Sequence, residues 1–276
     1  HTRSSLVRGL GDVYKRQPLI SLIVPIAPVT LIKLPPPTKS THPMIELHDV
    51  SHAYESAVIL RHITATLSEH RIGITGPNGS GKSTLIRMMN GLVIPTRGDV
   101  IVNGHNTRKK SAEIRHHTGF IFSDPRTQIL MPTLCEDVEF SLRRRIKDKK
   151  ERHNVALHYL DQFGLAERAD CSPHELSGGQ QQLLAIASIM AIEPDLILAD
   201  EPTALLDLRN TRRLLRIFQR IDAQIVLVSH DFSVLRQMDR VIVINNGTIF
   251  ADGTPQESLD AYETLIDVEE DHAKLL

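Results

Sequence analysis

Residues 71–83 read RIGITGPNGSGKS, an apolar run followed by a glycine-rich loop that ends in lysine and serine. The first five residues, Arg71–Thr75, have the pattern of a short β-strand, and residues 84–90 have the pattern of a helix. A Gly-x-x-x-x-Gly-Lys-Ser loop between a strand and a helix is typical of phosphate-binding loops. The stretch therefore predicts an α/β fold that binds a nucleotide at this loop. The alternative is an accidental glycine-rich turn.

Phosphate binding requires these residue types in the loop for physical reasons. Gly76, Gly79 and Gly81 allow backbone angles that turn successive amide groups toward phosphate oxygens, with no Cβ atom in the way. Lys82 offers a mobile positive charge to the β- and γ-phosphates, and Ser83 offers a hydroxyl to Mg2+. The predicted nucleotide-binding residues of the loop and the following turn are Gly76, Pro77, Asn78, Gly79, Ser80, Gly81, Lys82, Ser83 and Thr84.

A second apolar run, residues 195–199 (DLILA), is followed by Asp200 and Glu201. Such a run is typical of a buried parallel strand, whose carboxyl end faces the ligand in open α/β sheets. We therefore expect Asp200 to hold a Mg2+-bound water, and Glu201 to accept a proton from the water that attacks the γ-phosphate. An acidic surface turn after a core strand is the alternative for this pair.

Two further polar stretches lie beside strand or helix patterns. Leu176–Gln180 (LSGGQ) precedes a helical pattern over Gln181–Ile192, so Ser177 is a predicted N-cap with exposed glycine amides beside it. This arrangement predicts a second anion site, which one bound nucleotide would not need. His230 follows the strand-like run Ile225–Ser229, and we expect it to contact the γ-phosphate rather than to serve only the core.

The composition indicates a globular protein. The chain has 276 residues, of which 41% are hydrophobic and 24% are charged, and its formal net charge is -1. Residues 1–43 contain six cationic residues and one anionic residue, a balance of +5, which leaves -6 for residues 44–276. The body therefore lacks the basic surface of a nucleic-acid-binding protein. Two cysteines favour a reducing compartment, and the proline-broken apolar stretch at residues 18–34 is too short for a membrane-spanning helix.

We expect residues 1–43 to form a disordered, proline-rich leader that is not native to the protein, with Met44 as the natural start. A genuine targeting leader is the alternative. From Met44 onward, short apolar runs predict strands at Ile45–Val50, Ala57–Ile59 and Ile63–Leu67. Near the end of the chain, an Asn-Gly turn at residues 246–247 predicts a β-hairpin, and an acidic helix is predicted after it.

Together these motifs resemble the nucleotide-binding subunit of ATP-binding cassette (ABC) transporters over nearly all of residues 44–252. The resemblance implies a P-loop NTPase core with a mixed, mainly parallel sheet and an antiparallel β subdomain. It also implies a helical subdomain at about residues 124–192, within a domain that spans residues 44–276.

The same resemblance implies a site that binds and hydrolyses ATP with Mg2+ in a head-to-tail dimer. The signature residues of one subunit, Ser177, Gly178, Gly179 and Gln180, would close over the ATP held by Lys82 of the other. The implied catalytic residues are Lys82, Glu201 and His230, and the implied metal ligands are Ser83 and Asp200. Tyr54 is similar to the aromatic residue that stacks on adenine, with a core tyrosine as the alternative.

Residues 124–137 (DPRTQILMPTLCED) resemble a region of the energy-coupling factor ATPases, which power vitamin and metal uptake in prokaryotes. The stretches at residues 67–76, 176–187 and 205–210 are most similar to the biotin-transport type, with cobalt or nickel as the alternative cargo. The resemblance implies a second ATPase subunit, identical or paralogous, a transmembrane coupling subunit and a substrate-binding membrane subunit. The chain would then work at the cytoplasmic face of the prokaryotic cell membrane, with no nucleic-acid partner.

One position departs from the family pattern, because Ser123 stands where a glutamine normally contacts Mg2+ and senses the membrane partner. We expect altered coupling with intact nucleotide binding, and either Gln128 or a bridging water could take the place of the missing glutamine.

Residues 129–132 are an apolar stretch that is either core or a site for a helix of the membrane subunit. Rival functions are a soluble cassette ATPase acting on ribosomes or DNA ends, a nucleotide sensor, and a small-molecule kinase.

Overall fold

The structure, a computed structural model, describes residues 44–55 and 57–274. The predicted leader, residues 1–43, lies outside the described residues. In chain order the strands are β1 (Ile45–Tyr54), β2 (Ala57–Leu67), β3 (Arg71–Thr75), β4 (Arg97–Val102), β5 (His105–Asn106), β6 (Thr118–Ile121), β7 (Leu196–Asp200), β8 (Gln224–Val228), β9 (Arg240–Asn245) and β10 (Thr248–Gly253). The helices are α1 (Lys82–Met89), α2 (Thr107–His117), α3 (Leu134–Leu142), α4 (Lys149–Gln162), α5 (Gly178–Ala191), α6 (Leu208–Phe218), α7 (Phe232–Leu235) and α8 (Pro255–Lys274).

The larger sheet is mainly parallel and has the strand order β10-β9-β3-β8-β7-β6. Neighbouring strands from β9 to β6 are parallel, and β10 pairs with β9 in the antiparallel sense. All five residues of β7 are buried, which is the burial expected of a parallel strand covered on both faces. The predicted mixed, mainly parallel sheet is therefore confirmed, as is the hairpin formed by β9 and β10.

The second sheet is antiparallel and has the order β2-β1-β4-β5. Ile45 of β1 and Leu60 of β2 are fully buried and share a core with Ile72 of β3. One face of this sheet thus packs on the parallel sheet's strands, as the predicted antiparallel subdomain requires. The separate strands predicted at residues 57–59 and 63–67 are one strand, β2, because β1 pairs with residues on both sides of the polar stretch between them.

Three helices, α3, α4 and α5, lie between β6 and β7 in the chain. Val138, Leu160 and Leu184, one from each helix, are fully buried in one core. α5 begins at Gly178, earlier than predicted, because the Ser177 side chain caps its first turn. The predicted limits of the helical subdomain stay a prediction. Across residues 44–55 and 57–274, no helix has both the length and the hydrophobicity that crossing a bilayer requires.

Candidate functional site

Three neighbouring parallel strands end at one cleft. β3 leads into the glycine loop, β7 ends at Asp200, and β8 leads to Ser229 and His230. Because β8 lies between β3 and β7, the carboxyl ends of the strands bring these residues together. The cleft has a volume of about 820 Å3. Its lining residues are Ile59, Asn78, Gly79, Gly81, Lys82, Ser83, Thr84, Glu201, Thr203, Ala204, Val228, Ser229, His230 and Asp231.

The glycines of the loop differ in why they are needed. Gly76, Gly79 and Gly81 all have positive φ angles, of 136°, 79° and 102°. A Cβ atom on Gly79 would meet nothing within 4 Å, so this position is open to a ligand. A Cβ atom on Gly76 would lie only 1.9 Å from the carbonyl oxygen of Ile244 in β9. The predicted backbone angles of these glycines are thus present, and Gly76 also allows close packing against the neighbouring strand.

We expect Gly76→Ala to lower the free energy of unfolding by about 3 kcal/mol, because the added Cβ both strains the backbone and displaces β9. Gly79→Ala is the matched control, since its φ is also positive but the space around it is open. The control should cost only about 1 kcal/mol. Equilibrium unfolding in urea measures both variants, and equal losses of stability would contradict the packing role of Gly76.

Lys82 is held inside the loop. Its side chain is buried, and Nζ donates hydrogen bonds to the carbonyl oxygens of Gly76 at 2.8 Å and Pro77 at 2.7 Å. Burial lowers the pKa of Lys82, while the charges of Glu201 and Asp200 act in the opposite direction. The ammonium group is therefore positioned at the cleft, where phosphate oxygens can take the place of the two carbonyl acceptors.

Ser83 lines the cleft and forms a pair of oxygen donors with Asp200, which is not itself among the lining residues. The Ser83 hydroxyl donates to Oδ1 of Asp200 at 2.8 Å, although the two residues lie on different elements, α1 and β7. Asp200 is buried, and Nη2 of Arg87 lies 3.4 Å from its second oxygen. A hydroxyl beside a carboxylate is the hard-oxygen donor set that Mg2+ prefers. These two residues therefore fit the predicted metal site.

Glu201 is fixed in an unusual backbone conformation beside the cleft. Its φ is 52°, and its N–H donates to the carbonyl oxygen of Val228 at 3.1 Å, which ties the end of β7 to β8. Burial raises the pKa of Glu201. Oε1 lies 3.3 Å from Nε2 of His230, yet without hydrogen-bond geometry, so within the described part of the chain this buried oxygen has no hydrogen-bond partner. Glu201 therefore lines the cleft and carries an unpaired acceptor oxygen.

His230 lines the same cleft as the glycine loop, with its side chain about half exposed. Burial lowers the pKa of His230, and the positive charge of Lys82 lowers it further. A neutral imidazole can still donate one ring N–H. The predicted position of His230 beside the nucleotide cleft therefore agrees with the structure.

The signature residues lie outside the cleft of their own chain. The Ser177 hydroxyl accepts a hydrogen bond from the Gln180 N–H at 3.3 Å, and Oε1 of Gln180 accepts one from the Ser177 N–H at 3.0 Å. The predicted N-cap at Ser177 is confirmed. Ser177 and Gly178 are exposed, and neither they nor Gly179 line the cleft. One chain therefore does not bring Ser177 to its own Lys82.

Tyr54 lies at the end of β1 and is 50% exposed, so the alternative of a core tyrosine is wrong. Its ring packs edge-on against His52, with 4.5 Å between the ring centroids. Tyr54 is absent from the residues that line the cleft, and its stacking on adenine stays a prediction.

Ser123, which stands where the family pattern has a glutamine, is exposed. Oε1 of Gln128 accepts a hydrogen bond from the Phe122 N–H at 3.3 Å, and this oxygen keeps a second lone pair. Gln128 and a bridging water both stay open as substitutes for the glutamine.

The apolar stretch at residues 129–132 is divided between core and surface. Ile129 packs against the larger core, whereas Leu130 is 68% exposed. The buried Asp137 accepts hydrogen bonds from the N–H groups of Leu130 at 2.8 Å and Met131 at 3.2 Å, and from the Ser188 hydroxyl at 2.9 Å. The segment is therefore fixed to α3 and α5 and presents Leu130 outward.

With this geometry in place, comparison with known proteins decides the family. The sequence model of the ABC transporter family matches residues 60–204. The chain belongs to the ABC transporter family. An ABC transporter ATP-binding protein of Deinococcus radiodurans is 40% identical to it over 219 residues, which cover 79% of this chain and 97% of the relative.

Two relatives of this ABC ATPase have more specific names. The biotin transport ATP-binding protein BioM of Rhizobium etli is 35% identical over 221 residues, covering 80% of this chain and 98% of BioM. The energy-coupling factor transporter ATP-binding protein EcfA1 of Staphylococcus epidermidis is 34% identical over 240 residues, covering 83% of this chain and 88% of EcfA1.

Solved structures agree with the family. The ATP-binding cassette MJ0796, a dimer bound to ADP and Pi, has a TM-score of 0.71 and 30% identity, with 76% of this chain and 98% of that chain covered. The protein cbiO1 from Clostridium perfringens, part of the transporter complex cbiONQ, has a TM-score of 0.69 and 25% identity, with 84% and 96% covered. The predicted fold class and ATPase activity are confirmed, and the kinase alternative is wrong.

Six lining residues of the ABC ATPase cleft were not predicted as site residues: Ile59, Thr203, Ala204, Val228, Ser229 and Asp231. Ile59 reaches the cleft from β2 in the antiparallel sheet, and Thr203 and Ala204 follow the carboxylates after β7. Thr203 could have been predicted as a lining residue, because it lies only two residues after Glu201 in the sequence. Ile59 carries no such signal, because its place depends on how the two sheets pack.

Proposed function

We propose that this ABC ATPase is the ATP-hydrolysing subunit of an energy-coupling factor importer, with biotin as the favoured cargo. The observation that carries the proposal is that Lys82, Ser83 and Glu201 line one cleft that the signature residues do not enter. Asp200 is joined to this cleft by its hydrogen bond with Ser83. The similarity to BioM and EcfA1 supports the transporter class and the cargo.

Binding of ATP begins at the glycine loop. We infer that the β- and γ-phosphate oxygens replace the Gly76 and Pro77 carbonyls as acceptors for Nζ of Lys82, while the open amide of Gly79 faces the same phosphates. The helix dipole of α1 adds positive potential at this end. Ser83 and Asp200 would hold Mg2+, which when bound neutralises charge on the phosphate oxygens.

Hydrolysis requires a group that accepts a proton from water. Glu201 is the candidate, because its buried Oε1 lacks a hydrogen-bond partner among the described residues and its pKa is raised by burial. As water's oxygen bonds to the γ-phosphorus, its proton passes to Glu201 and the bond to the oxygen of ADP breaks. His230 would donate a hydrogen bond to the γ-phosphate as charge develops there.

A second subunit completes the site in this proposal. Ser177 and Gly178 are exposed at the positive end of α5 yet lie outside the cleft of their own chain, as expected if they close over the nucleotide of a partner. ATP would then join two subunits, and the loss of the γ-phosphate on hydrolysis would weaken the contact.

Cysteines at Asn78 and Ser177, introduced in a Glu201→Gln, Cys171→Ser background, should form a disulfide between two chains when ATP and Mg2+ are present. Asn78 is the chosen loop position because it is exposed and lines the cleft. The measurement is the appearance of a covalent dimer on a non-reducing gel. A cysteine at the exposed Lys110 replaces the one at Ser177 in the control, and should give no nucleotide-dependent dimer. Nucleotide-independent crosslinking, or none, would contradict the pairing of two copies.

The cargo is tested with the membrane partners. We expect the chain to co-purify with a transmembrane coupling subunit and a substrate-binding subunit encoded beside it, and the complex to take up labelled biotin in vesicles when ATP is supplied. Such a complex would hold the ATPase at the cytoplasmic face of the cell membrane, with Leu130 available for a helix of the coupling subunit. ATP-driven uptake of cobalt or nickel without biotin would reject biotin as the cargo and keep the transporter class.

A further inference from the structure

A cluster of possible metal ligands lies away from the nucleotide cleft, between α3 and α4. Cys135 and Glu139 are one helical turn apart on α3, and His153 belongs to α4. Sγ of Cys135 lies 3.4 Å from Nδ1 of His153 and 3.6 Å from Oε1 of Glu139. Nδ1 of His153 lies 2.8 Å from the same Oε1. Three different donor atoms therefore converge on one point.

The separations between these atoms resemble those of a filled metal site. A tetrahedral zinc ion with bonds of about 2.0 Å to nitrogen and oxygen and about 2.3 Å to sulfur places its ligand atoms roughly 3.3–3.6 Å apart. The two distances from sulfur already have this length. Only the distance between His153 and Glu139 must open, by about half an ångström on the same geometry.

The surroundings of the cluster favour a cation. Cys135 is 3% exposed, and Glu136 and Asp170 place further negative charge near its sulfur. Burial and the carboxylate of Glu139 raise the pKa of the thiol to about 12, so the metal-free protein carries a proton there. Nε of Arg152 lies 4.0 Å from Oε2 of Glu139, on the oxygen that does not face the cluster. A charged partner on the outer oxygen leaves Oε1 directed at the cluster.

We propose that Cys135, Glu139 and His153 bind a divalent ion of the zinc type, with water as a fourth ligand. A thiolate and a carboxylate balance the charge of the ion, and the proton of the thiol passes to solvent on binding. Histidine and cysteine together select borderline-soft ions over Mg2+. The ion would join α3 to α4 beside the segment that carries Leu130. Its role would be structural, and its ligands differ from the oxygen donors expected to hold Mg2+ at the nucleotide cleft.

Cobalt(II) is the probe, because its thiolate complexes absorb in the near ultraviolet and visible ranges. Titration of the full chain, with Mg2+ in excess and no nucleotide, should saturate the absorption at one cobalt per chain. Cys135→Ser should abolish the thiolate band, and His153→Gln, at a half-exposed position, should weaken cobalt binding by about 100-fold or more. Zinc should then displace cobalt and raise the temperature of unfolding of the wild-type chain.

Matched controls separate this site from surface histidines and from the other cysteine. Cys171→Ser and His158→Gln, the latter on the same helix α4, should bind cobalt as the wild-type chain does. If Cys135→Ser fails to fold, His153→Gln decides alone, with its unfolding temperature no longer responding to zinc. A band that persists in His153→Gln at wild-type affinity, or that vanishes equally in Cys171→Ser, would overturn the site. So would saturation only at several ions per chain, which would leave the cluster as hydrogen bonds alone.

Discussion

Glu201→Gln should lower the rate of ATP turnover by about 100- to 10,000-fold while leaving ATP affinity nearly unchanged. Glutamine keeps the size of the side chain and its place beside His230, but it cannot accept a proton from water. Among the described residues, no hydrogen bond or ion pair joins Glu201 to the loop that we expect to hold the phosphates, so binding should survive. Phosphate release at saturating ATP measures turnover, and equilibrium titration with a fluorescent ATP analogue measures affinity.

The same variant should accumulate a closed dimer, because ATP stays intact between the subunits. Glu113→Gln is the matched control, since it makes the same chemical change at an exposed residue of α2 that pairs with Lys110. We expect wild-type turnover and no trapped dimer from the control. Turnover by Glu201→Gln at the wild-type rate would exclude Glu201 as the proton acceptor, and a matching loss of ATP affinity would reassign it to binding.

The sequence predicts those parts of the site whose backbone conformation is determined within one short segment. The glycine loop at residues 76–83 follows β3 and leads into α1. Asp200 is the last residue of β7, all of whose residues are buried, and Glu201 follows it directly. The glycine spacing and the apolar runs therefore predict both elements and the edge of the sheet where they meet. Ser177 belongs to the same class, because a capping box needs only four consecutive residues.

The parts that the sequence does not predict depend on contacts between distant segments. Gly76 follows the rule for a phosphate loop, yet a side chain there is excluded by the backbone of Ile244. His153 lies 14 residues from Glu139 and on another helix, so no motif spacing joins it to Cys135. Ile59 reaches the nucleotide cleft only because the antiparallel sheet packs beside β3. Each of these contacts depends on how distant segments pack, and the hydrophobic periodicity of a single segment does not predict such packing.

Lys82→Ala should weaken ATP binding by about 3 kcal/mol, or roughly a hundredfold in Kd, because hydrogen bonds to charged phosphates are lost. The buried ammonium is already positioned by two carbonyl acceptors, so little order is lost when phosphate oxygens replace them. Alanine removes the charge as well as the donors, while the glycine amides stay. Titration with ATP and Mg2+ in a calorimeter measures the change directly.

Lys110→Ala is the control, since its ammonium lies on the surface of α2, 3.0 Å from Glu113, and should leave Kd unchanged. The comparison with Glu201→Gln gives the sharper result, because the two variants should fail at different steps. At ATP concentrations well above its weakened Kd, Lys82→Ala should recover part of its turnover, whereas Glu201→Gln should recover none. Wild-type ATP affinity in Lys82→Ala would contradict the assignment of the loop lysine to the phosphates, because no other buried cation among the described residues lines this cleft.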